Sequence, residues 1–362
     1  MKLDKEKSWI IGSGLLIGLV AVILTLCGNP KNMGFCIACF LRDTAGGLHL
    51  HTAAVVEYIR PEVIGIVLGS FVLSILTKNF RARGGSAPVT RFVLGFMVMI
   101  GALVFLGCPF RLILRLAGGD ANAIIGLIGF IAGIGIGCIF LANGFSLGRS
   151  KTEKSSEGVV FPSLTILLLI VFLAFPSLFL FSEKGPGSMH APIALSLAMG
   201  LLVGAIAERT RFCMVGGIRD SILIKDFTLL LGFVGVFAGA LILNIATKNF
   251  HFGFANQPIA HSQHIWNFLG MVVVGLGSAL LGGCPLRQLV MAGEGSSDSA
   301  VAVFGMIIGA AFAHNFGLAS AAQSATSAGG PPIKGKVAVI LCIIILLAIG
   351  SVNTFLKKGE NR

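Results

Sequence analysis

Charged side chains are scarce in this chain. They make up 12% of its 362 residues, whereas 55% are hydrophobic. A soluble globular domain carries about 25% charged residues, and a disordered chain would have the opposite bias, with little apolar content. Most classes of soluble protein are therefore excluded, and the excess apolar surface is expected to face lipid. We predict an all-α, polytopic membrane protein.

Two other features are missing. No long basic block with interleaved aromatic residues is present, so the net charge of +12 does not indicate a nucleic-acid partner. No small-residue cleavage pattern follows the apolar stretch from Trp9 to Leu26, which is close to the ~20 residues that span a bilayer. We therefore expect this stretch to be the first membrane helix and not a signal peptide.

Long apolar runs predict about ten membrane helices, at 8–27, 62–80, 91–107, 122–145, 159–181, 190–207, 228–247, 264–283, 299–316 and 336–355. Four further pieces are too apolar for ordinary loops and too broken to span, so we predict re-entrant half-helices at 28–50, 108–121, 208–226 and 284–298. Irregular backbone at membrane depth is tolerated only where protein or a water-filled cavity satisfies its polar groups. Four such pieces predict a shared internal site.

The chain contains an internal repeat. Three blocks recur: Phe-Cys followed by Arg-Asp, Thr-Lys-Asn-Phe, and Gly-Cys-Pro followed by Arg. They begin at Phe35, Thr77 and Gly107 in the first half, and at Phe212, Thr247 and Gly283 in the second. A Gly-x3-Gly pair beginning at Gly129 recurs at Gly305 and predicts close helix packing. We predict a first repeat at 1–158, a linker helix at 159–189, a second repeat at 190–330 and an extra C-terminal helix at 331–362.

The positions of Lys and Arg predict the orientation of the two halves. If the N-terminus is cytoplasmic, the cytoplasmic segments hold about twice as many Lys and Arg residues as the segments on the other side of the membrane. With four spanning helices per repeat and one linker helix, the repeats are then inverted and both termini are cytoplasmic. The first Thr-Lys-Asn-Phe copy opens a basic loop and the second does not, so we expect the copies on opposite faces. Inverted repeats place the substrate site near the membrane midplane.

These repeated blocks resemble the YeeE/YedE family of bacterial inner-membrane sulfur-transport proteins, and more closely its YedE branch, which is associated with selenium metabolism. The likeness runs from about Gly12 to Gly317. It implies two inverted halves whose short re-entrant helices meet at a constriction. It also implies uptake of a small sulfur anion, such as thiosulfate, that is passed along thiols. The motif positions are occupied here by Cys36, Cys108, Cys213 and Cys284.

The first half departs from its mate at three positions. Cys39 stands where the second half has Gly216, and His49 and His51 lie in a longer stretch. Cys36 and Cys39 form a C-x2-C spacing, which is compatible with a redox or metal role, but no further ligands at a recognisable spacing accompany it. We therefore expect no metal and no cofactor. The two histidines could add ligands at the outer mouth, although a surface pair is more typically solvated.

The four repeated cysteines are the predicted substrate-binding residues, because each lies beside a turn or a Gly-Pro break and recurs in its mate. A thiol is a weak donor and a polarisable acceptor. These properties suit loose binding of a soft anion that must also leave the site. Cys27, Cys138 and Cys342 have no repeat mate, so we expect them to be packing residues.

Four arginines near these cysteines are further candidates for substrate binding: Arg42, Arg219, Arg111 and Arg287. Arg42 and Arg219 each precede an Asp, so two interpretations stay open. One is an ion pair that ties the segment to the scaffold, and the other is a cation that attracts the anion. Arg111 and Arg287 each lie three residues after a cysteine, where a vestibule would need positive charge.

The chain is therefore predicted to be a transporter, not an enzyme, of the bacterial inner membrane. It would import a small sulfur- or selenium-containing species through a central path of thiols. Two alternatives stay open: a membrane sulfurtransferase with a persulfide on one cysteine, and a non-selective anion channel in which the thiols are incidental. The predicted partners are the anion, the lipid bilayer and, as a candidate, a cytoplasmic sulfur or selenium carrier protein.

Overall fold

A computed structural model describes residues 2–356, which form fourteen α-helices. Ten are long: α1 (Lys2–Leu26), α3 (Pro61–Leu76), α4 (Pro88–Phe105), α6 (Asn122–Ala142), α7 (Ser155–Ala174), α8 (Ile193–Thr210), α10 (Thr228–Ala246), α11 (His264–Leu281), α13 (Ser297–Asn315) and α14 (Ile333–Ser351). Four are short: α2 (Ile37–Gly47), α5 (Pro109–Ala117), α9 (Met214–Leu223) and α12 (Pro285–Gly293). In this part of the chain the strands are two antiparallel pieces, β1 (Arg83–Gly84) and β2 (Lys151–Thr152), with Arg83 opposite Thr152.

The prediction of an all-α, polytopic membrane protein is confirmed. Nine segments among the described residues are long and apolar enough to cross a membrane. The tenth predicted span falls on α3, an apolar helix of 16 residues. Each of the four broken segments contains one short helix, and its re-entrant course stays a prediction. The ends of the chain at Met1 and beyond Leu356, and with them the predicted cytoplasmic location of both termini, lie outside the described residues.

The order of helices is the same in the two halves: long, short, long, long, short, long. Helix α1 packs against α10, and its mate α8 packs against α3. In the same way α6 packs against α11, and α13 packs against α4. Each pair joins one helix from either half, so neither half packs as a body by itself. The boundary predicted after residue 158 falls inside α7, because Ser155 to Gly158 already form its first turn.

Glycine allows the closest of these helix contacts. A Cβ atom at Gly129 of α6 would collide with the carbonyl oxygen of Phe268 on α11. A Cβ atom at Gly305 of α13 would collide in the same way with the carbonyl oxygen of Phe92 on α4. The repeated Gly-x3-Gly pairs therefore do lie at close helix crossings, where small residues let two backbones approach.

The loops form two faces. The Lys31 face comprises residues 27–36, 48–60, 118–121, 175–192, 247–263 and 316–332, and the Arg83 face comprises 77–87, 143–154 and 294–296. On the Lys31 face, His251 N donates to Gly118 O at 2.9 Å; on the Arg83 face, Arg81 N donates to Glu294 O at 3.0 Å. Helix α3 runs from one face to the other, so the two Thr-Lys-Asn-Phe copies lie at opposite ends of the fold. Which face is cytoplasmic stays a prediction.

Candidate functional site

The four repeated cysteines share one structural position. Cys36, Cys108, Cys213 and Cys284 are the N-cap residues of the short helices α2, α5, α9 and α12. The first N–H groups of a helix have no partner within the helix, and its N-terminus carries roughly half a positive charge. All four thiols therefore lie where a helix favours negative charge. The proline after Cys108 and Cys284 suits the first helical position, because its missing N–H would be unpaired there.

Three thiols cluster in the first half. Cys36 Sγ lies 2.7 Å from Cys39 Sγ and also accepts from Cys39 N at 3.4 Å. The thiol of Cys108 is a hydrogen-bonding neighbour of Cys36. All three residues are buried and are free cysteines. Cys39, which the sequence left open, therefore belongs to the same cluster as the two repeated cysteines of its half.

Two thiols pair in the second half. Cys213 and Cys284 are hydrogen-bonding neighbours, and both are buried. Cys213 Sγ accepts from Gly216 N at 3.2 Å, which is the same contact that Cys36 makes with Cys39 N. The backbone geometry is thus repeated, but Gly216 supplies no third thiol. The remaining cysteines contribute to neither cluster: Cys27 is exposed, whereas Cys138 and Cys342 are buried on α6 and α14.

Arg111 is fully buried beside the three-thiol cluster. Its Nη1 lies 3.9 Å from Cys39 Sγ. Its other contacts are hydrogen bonds to backbone carbonyl oxygens, namely those of Asn32, Leu106, Pro258 and Ile259. Among the described residues no carboxylate lies within ion-pair distance of its guanidinium. Arg111 therefore places an uncompensated positive charge next to thiols.

Arg287 is the repeat mate of Arg111 and has a different partner. Its Nη1 lies 2.7 Å from Glu294 Oε1. Both arginines fold back over the start of their helix, because a glycine lies four residues earlier. A Cβ at Gly107 would lie 3.1 Å from Arg111 Cδ, and one at Gly283 would lie 3.0 Å from Arg287 Cγ. The two motifs therefore share one backbone arrangement, but within the described residues only the charge of Arg287 is compensated by a carboxylate.

Arg42 and Arg219 each form an ion pair with the next residue. Arg42 Nη2 lies 2.6 Å from Asp43 Oδ1, and Arg219 Nε lies 2.8 Å from Asp220 Oδ1. The sequence did not predict that Asp43 also binds Arg60. Arg60 in turn donates to the carbonyl oxygens of Met189 and Pro186 and lies over the rings of Phe40 and Tyr58. This network ties α2 to the loop before α8, as the ion-pair interpretation requires.

The two histidines of the longer stretch have different surroundings. His49 is exposed. His51 is buried, with Nε2 3.0 Å from Arg42 O, and its ring lies 4.7 Å from that of His314. The interpretation of a solvated pair is therefore wrong for His51. The sequence did contain one signal of this difference, namely the length of the loop. Residues 48–60 of the first half correspond to only residues 224–227 of the second.

Two comparisons with known proteins match parts of the chain. A family model described as sulphur transport matches residues 209–361, which include Cys213 and Cys284. The chain is also 32% identical over 124 residues to the thiosulfate transporter TsuA of Escherichia coli (strain K12), a match that covers 32% of this chain and 32% of that protein. The chain thus spans about a third of the length of this curated relative.

Proposed function

We propose that the chain imports a small sulfur- or selenium-containing anion, such as thiosulfate, across the bacterial inner membrane, because the family model described as sulphur transport matches residues 209–361 and supports the resemblance to the YeeE/YedE family. The name of the similar Escherichia coli protein supports transport of thiosulfate. Transport rather than covalent chemistry also fits the nine apolar spans among the described residues. The predicted resemblance to this family is confirmed, and its selenium branch stays part of the proposal.

The observation that carries this proposal is the position of the thiols. Four cysteines cap four helix N-termini, so each can offer a weak S–H donor to an anion in a place of positive potential. Weak donors replace the water molecules around the anion but do not bind it so tightly that it cannot leave. Such a series of loose sites is what conduction requires, because an ion must leave each site as readily as it enters.

We assign the two thiol clusters to successive stations on one path. The three thiols of Cys36, Cys39 and Cys108 lie on the side of the Lys31 face, to which α2 and α5 return at their C-terminal ends. Helix α2 also packs against α12, whose N-cap is Cys284. An anion would therefore pass from the first cluster to Cys213 and Cys284, and then toward the Arg83 face. A cytoplasmic sulfur or selenium carrier protein would receive it there.

The arginines take different roles in this proposal. Arg111 attracts the anion, because it is buried, has only carbonyl partners and lies beside Cys39. Arg42 and Arg219 are paired with Asp43 and Asp220, so we assign them to positioning of the short helices. Arg287 is neutralised by Glu294 and contributes less to the potential along the path.

Uptake into proteoliposomes tests the function directly. The purified protein should support saturable uptake of labelled thiosulfate or selenite, and labelled chloride should not enter. Non-saturable flux of unrelated anions would identify a channel and overturn the proposal. A gain of one sulfur atom in the mass of a cysteine-containing peptide after turnover would identify a sulfurtransferase. Absence of any uptake of sulfur or selenium anions would also contradict the proposal.

A further inference from the structure

A polar cavity of about 310 Å³ opens on the Lys31 face. It lies between the loop after α1 and the loop after α10. Its polar lining includes two lysines and several side-chain amides: Lys31, Lys248, Asn32, Asn249, Asn256 and Gln257. No Asp or Glu of the described residues lines it. A cavity with two ammonium groups and no carboxylate favours a negatively charged occupant.

Arg111 is hydrogen-bonded to two residues that line the cavity. Asn32 and Pro258 line the cavity, and their carbonyl oxygens accept hydrogen bonds from Arg111 at 3.3 and 3.2 Å. On its other side Arg111 Nη1 lies 3.9 Å from Cys39 Sγ. The Arg111 guanidinium therefore contacts both residues that line the cavity and a thiol of the three-thiol cluster.

The lysines of the cavity are not neutralised. Lys31 and Lys248 are exposed, and neither ammonium forms an ion pair within the described part of the chain. The loop that carries Asn256 is held in place by Gln257, whose Nε2 donates to the carbonyl oxygens of His251 and Gly253 at 2.9 Å. Gln257 Oε1 is buried without a protein partner. It can accept a hydrogen bond from a bound water or a protonated anion.

We propose that this cavity is the capture site for a small oxyanion, held by Lys31 and Lys248 before it passes Arg111. That the captured anion is also the transported anion rests on the proposed function. The site itself rests on the cavity and its charges. Two ammonium groups on opposite loops suit a compact divalent oxyanion better than one ammonium group does, because both groups can contact the anion at once.

Neutralising the lysines tests capture. In intact cells, Lys31→Gln and Lys248→Gln should each raise the apparent KM for thiosulfate about fivefold and weaken its dependence on salt, with the maximal rate unchanged. Lys78→Gln is the matched control, because Lys78 is the repeat mate of Lys248, has the same left-handed backbone and lies on the Arg83 face. An unchanged KM in both cavity variants, or a larger change in the control, would overturn the proposal.

A second readout does not depend on transport. Asn256 lines the cavity and is exposed, so a cysteine at this position, in a Cys27→Ser background, can be labelled in the purified protein. An anionic maleimide should react faster than a neutral one, and Lys31→Gln with Lys248→Gln should remove that preference. Loss of the preference without any thiosulfate uptake would refute the proposed function and keep the capture site. Uptake with no preference would refute the capture site alone.

Discussion

The two halves of the molecule share a backbone plan but differ in charge compensation at the thiols. Arg111 and Arg287 stand at the same repeat position, three residues after an N-cap cysteine. Glu294 neutralises Arg287, whereas the first half has Gly118 at the position of Glu294. One substitution therefore turns a paired arginine into an uncompensated one. The repeat keeps the positions of the helices, and single side chains decide whether the charge of the arginine is compensated.

The halves also differ in how firmly the short helix is held. Asp43 is fully buried and shared by two arginines, while the Asp220 side chain is 20% exposed and pairs with Arg219 alone. The longer loop at 48–60 supplies the second arginine, Arg60. The extra loop residues therefore fix α2 more rigidly than α9. In the proposed transport path, the first half would therefore select the anion and the second would release it.

Removal of a thiol tests what the halves have in common and should have the largest effect. Cys108→Ala and Cys284→Ala should each abolish uptake without loss of protein from the membrane, because each removes the donor at a helix N-terminus on the path. Cys342→Ala, a buried thiol away from both clusters, is the matched control and should transport normally. Labelled uptake and immunodetection measure the two quantities. Equal transport by all three variants would rule out the thiol path.

The buried ion pairs test the difference in rigidity. Asp43→Asn leaves Arg42 and Arg60 without a carboxylate partner, and breaking such a buried pair costs about 3–5 kcal/mol of stability. Asp220→Asn breaks a partly exposed pair, for which about 0–1 kcal/mol is expected. Thermal unfolding of the detergent-purified variants measures both. Similar losses would show that the two pairs are equivalent.

Giving Arg111 a partner tests the charge difference itself. Gly118→Glu places a carboxylate at the position that Glu294 has in the second half, and it should raise the KM for the transported anion about tenfold, which is about 1.4 kcal/mol. Gly118→Gln controls for side-chain size, because both residues meet the movable Asn32 side chain. The reverse change, Glu294→Gln, should leave the KM unchanged or lower it. An equal effect of Glu and Gln at position 118 would mean that size and not charge matters.

The extra thiol of the first half should have the smallest effect on transport. Cys39→Ala should lower the uptake rate by less than ~3-fold, since Cys36 and Cys108 remain as donors. The variant should, however, be less sensitive to phenylarsine oxide, because it loses the pair of thiols at 2.7 Å and keeps only the Cys36–Cys108 and Cys213–Cys284 pairs. Gly216→Cys should in turn raise the sensitivity, because it adds a third thiol to the second half. Equal inhibition of Cys39→Ala and the unchanged protein would place the reactive pair elsewhere.

Much of the fold could be predicted from local patterns. Nine predicted spans coincide with apolar membrane-length helices, and the breaks at 108–121 and 284–298 contain α5 and α12. The N-cap position of the cysteines also follows from sequence, because Pro109 and Pro285 favour the first position of a helix. These features depend on residues next to one another in the chain. Most predicted boundaries lie within about a turn of the observed ones, but α1 begins six residues and α7 ends seven residues before the predicted position.

The partners of the charged residues could not be predicted in the same way. No sequence motif marks Arg60, yet it is buried against Asp43, 17 residues away, and against Pro186 O, 126 residues away. His51 was expected to be solvated, yet it lies on His314. Such contacts depend on which distant segments meet. An alignment of the two repeats would, however, have shown the difference in charge compensation, because Gly118 aligns with Glu294.

By itself, the sequence determined an all-α membrane protein with duplicated cysteine motifs, because apolar length and helix-breaking residues act locally and recur visibly. Only the tertiary structure decided where charge is compensated. It brought Arg111 to Pro258, 147 residues away, and it enclosed a cavity between Lys31 and Lys248. The physical reason is that a charge in a dry interior is governed by its nearest neighbours in space. Those neighbours come from segments that are distant in the chain, so their contacts leave no local signal in the sequence.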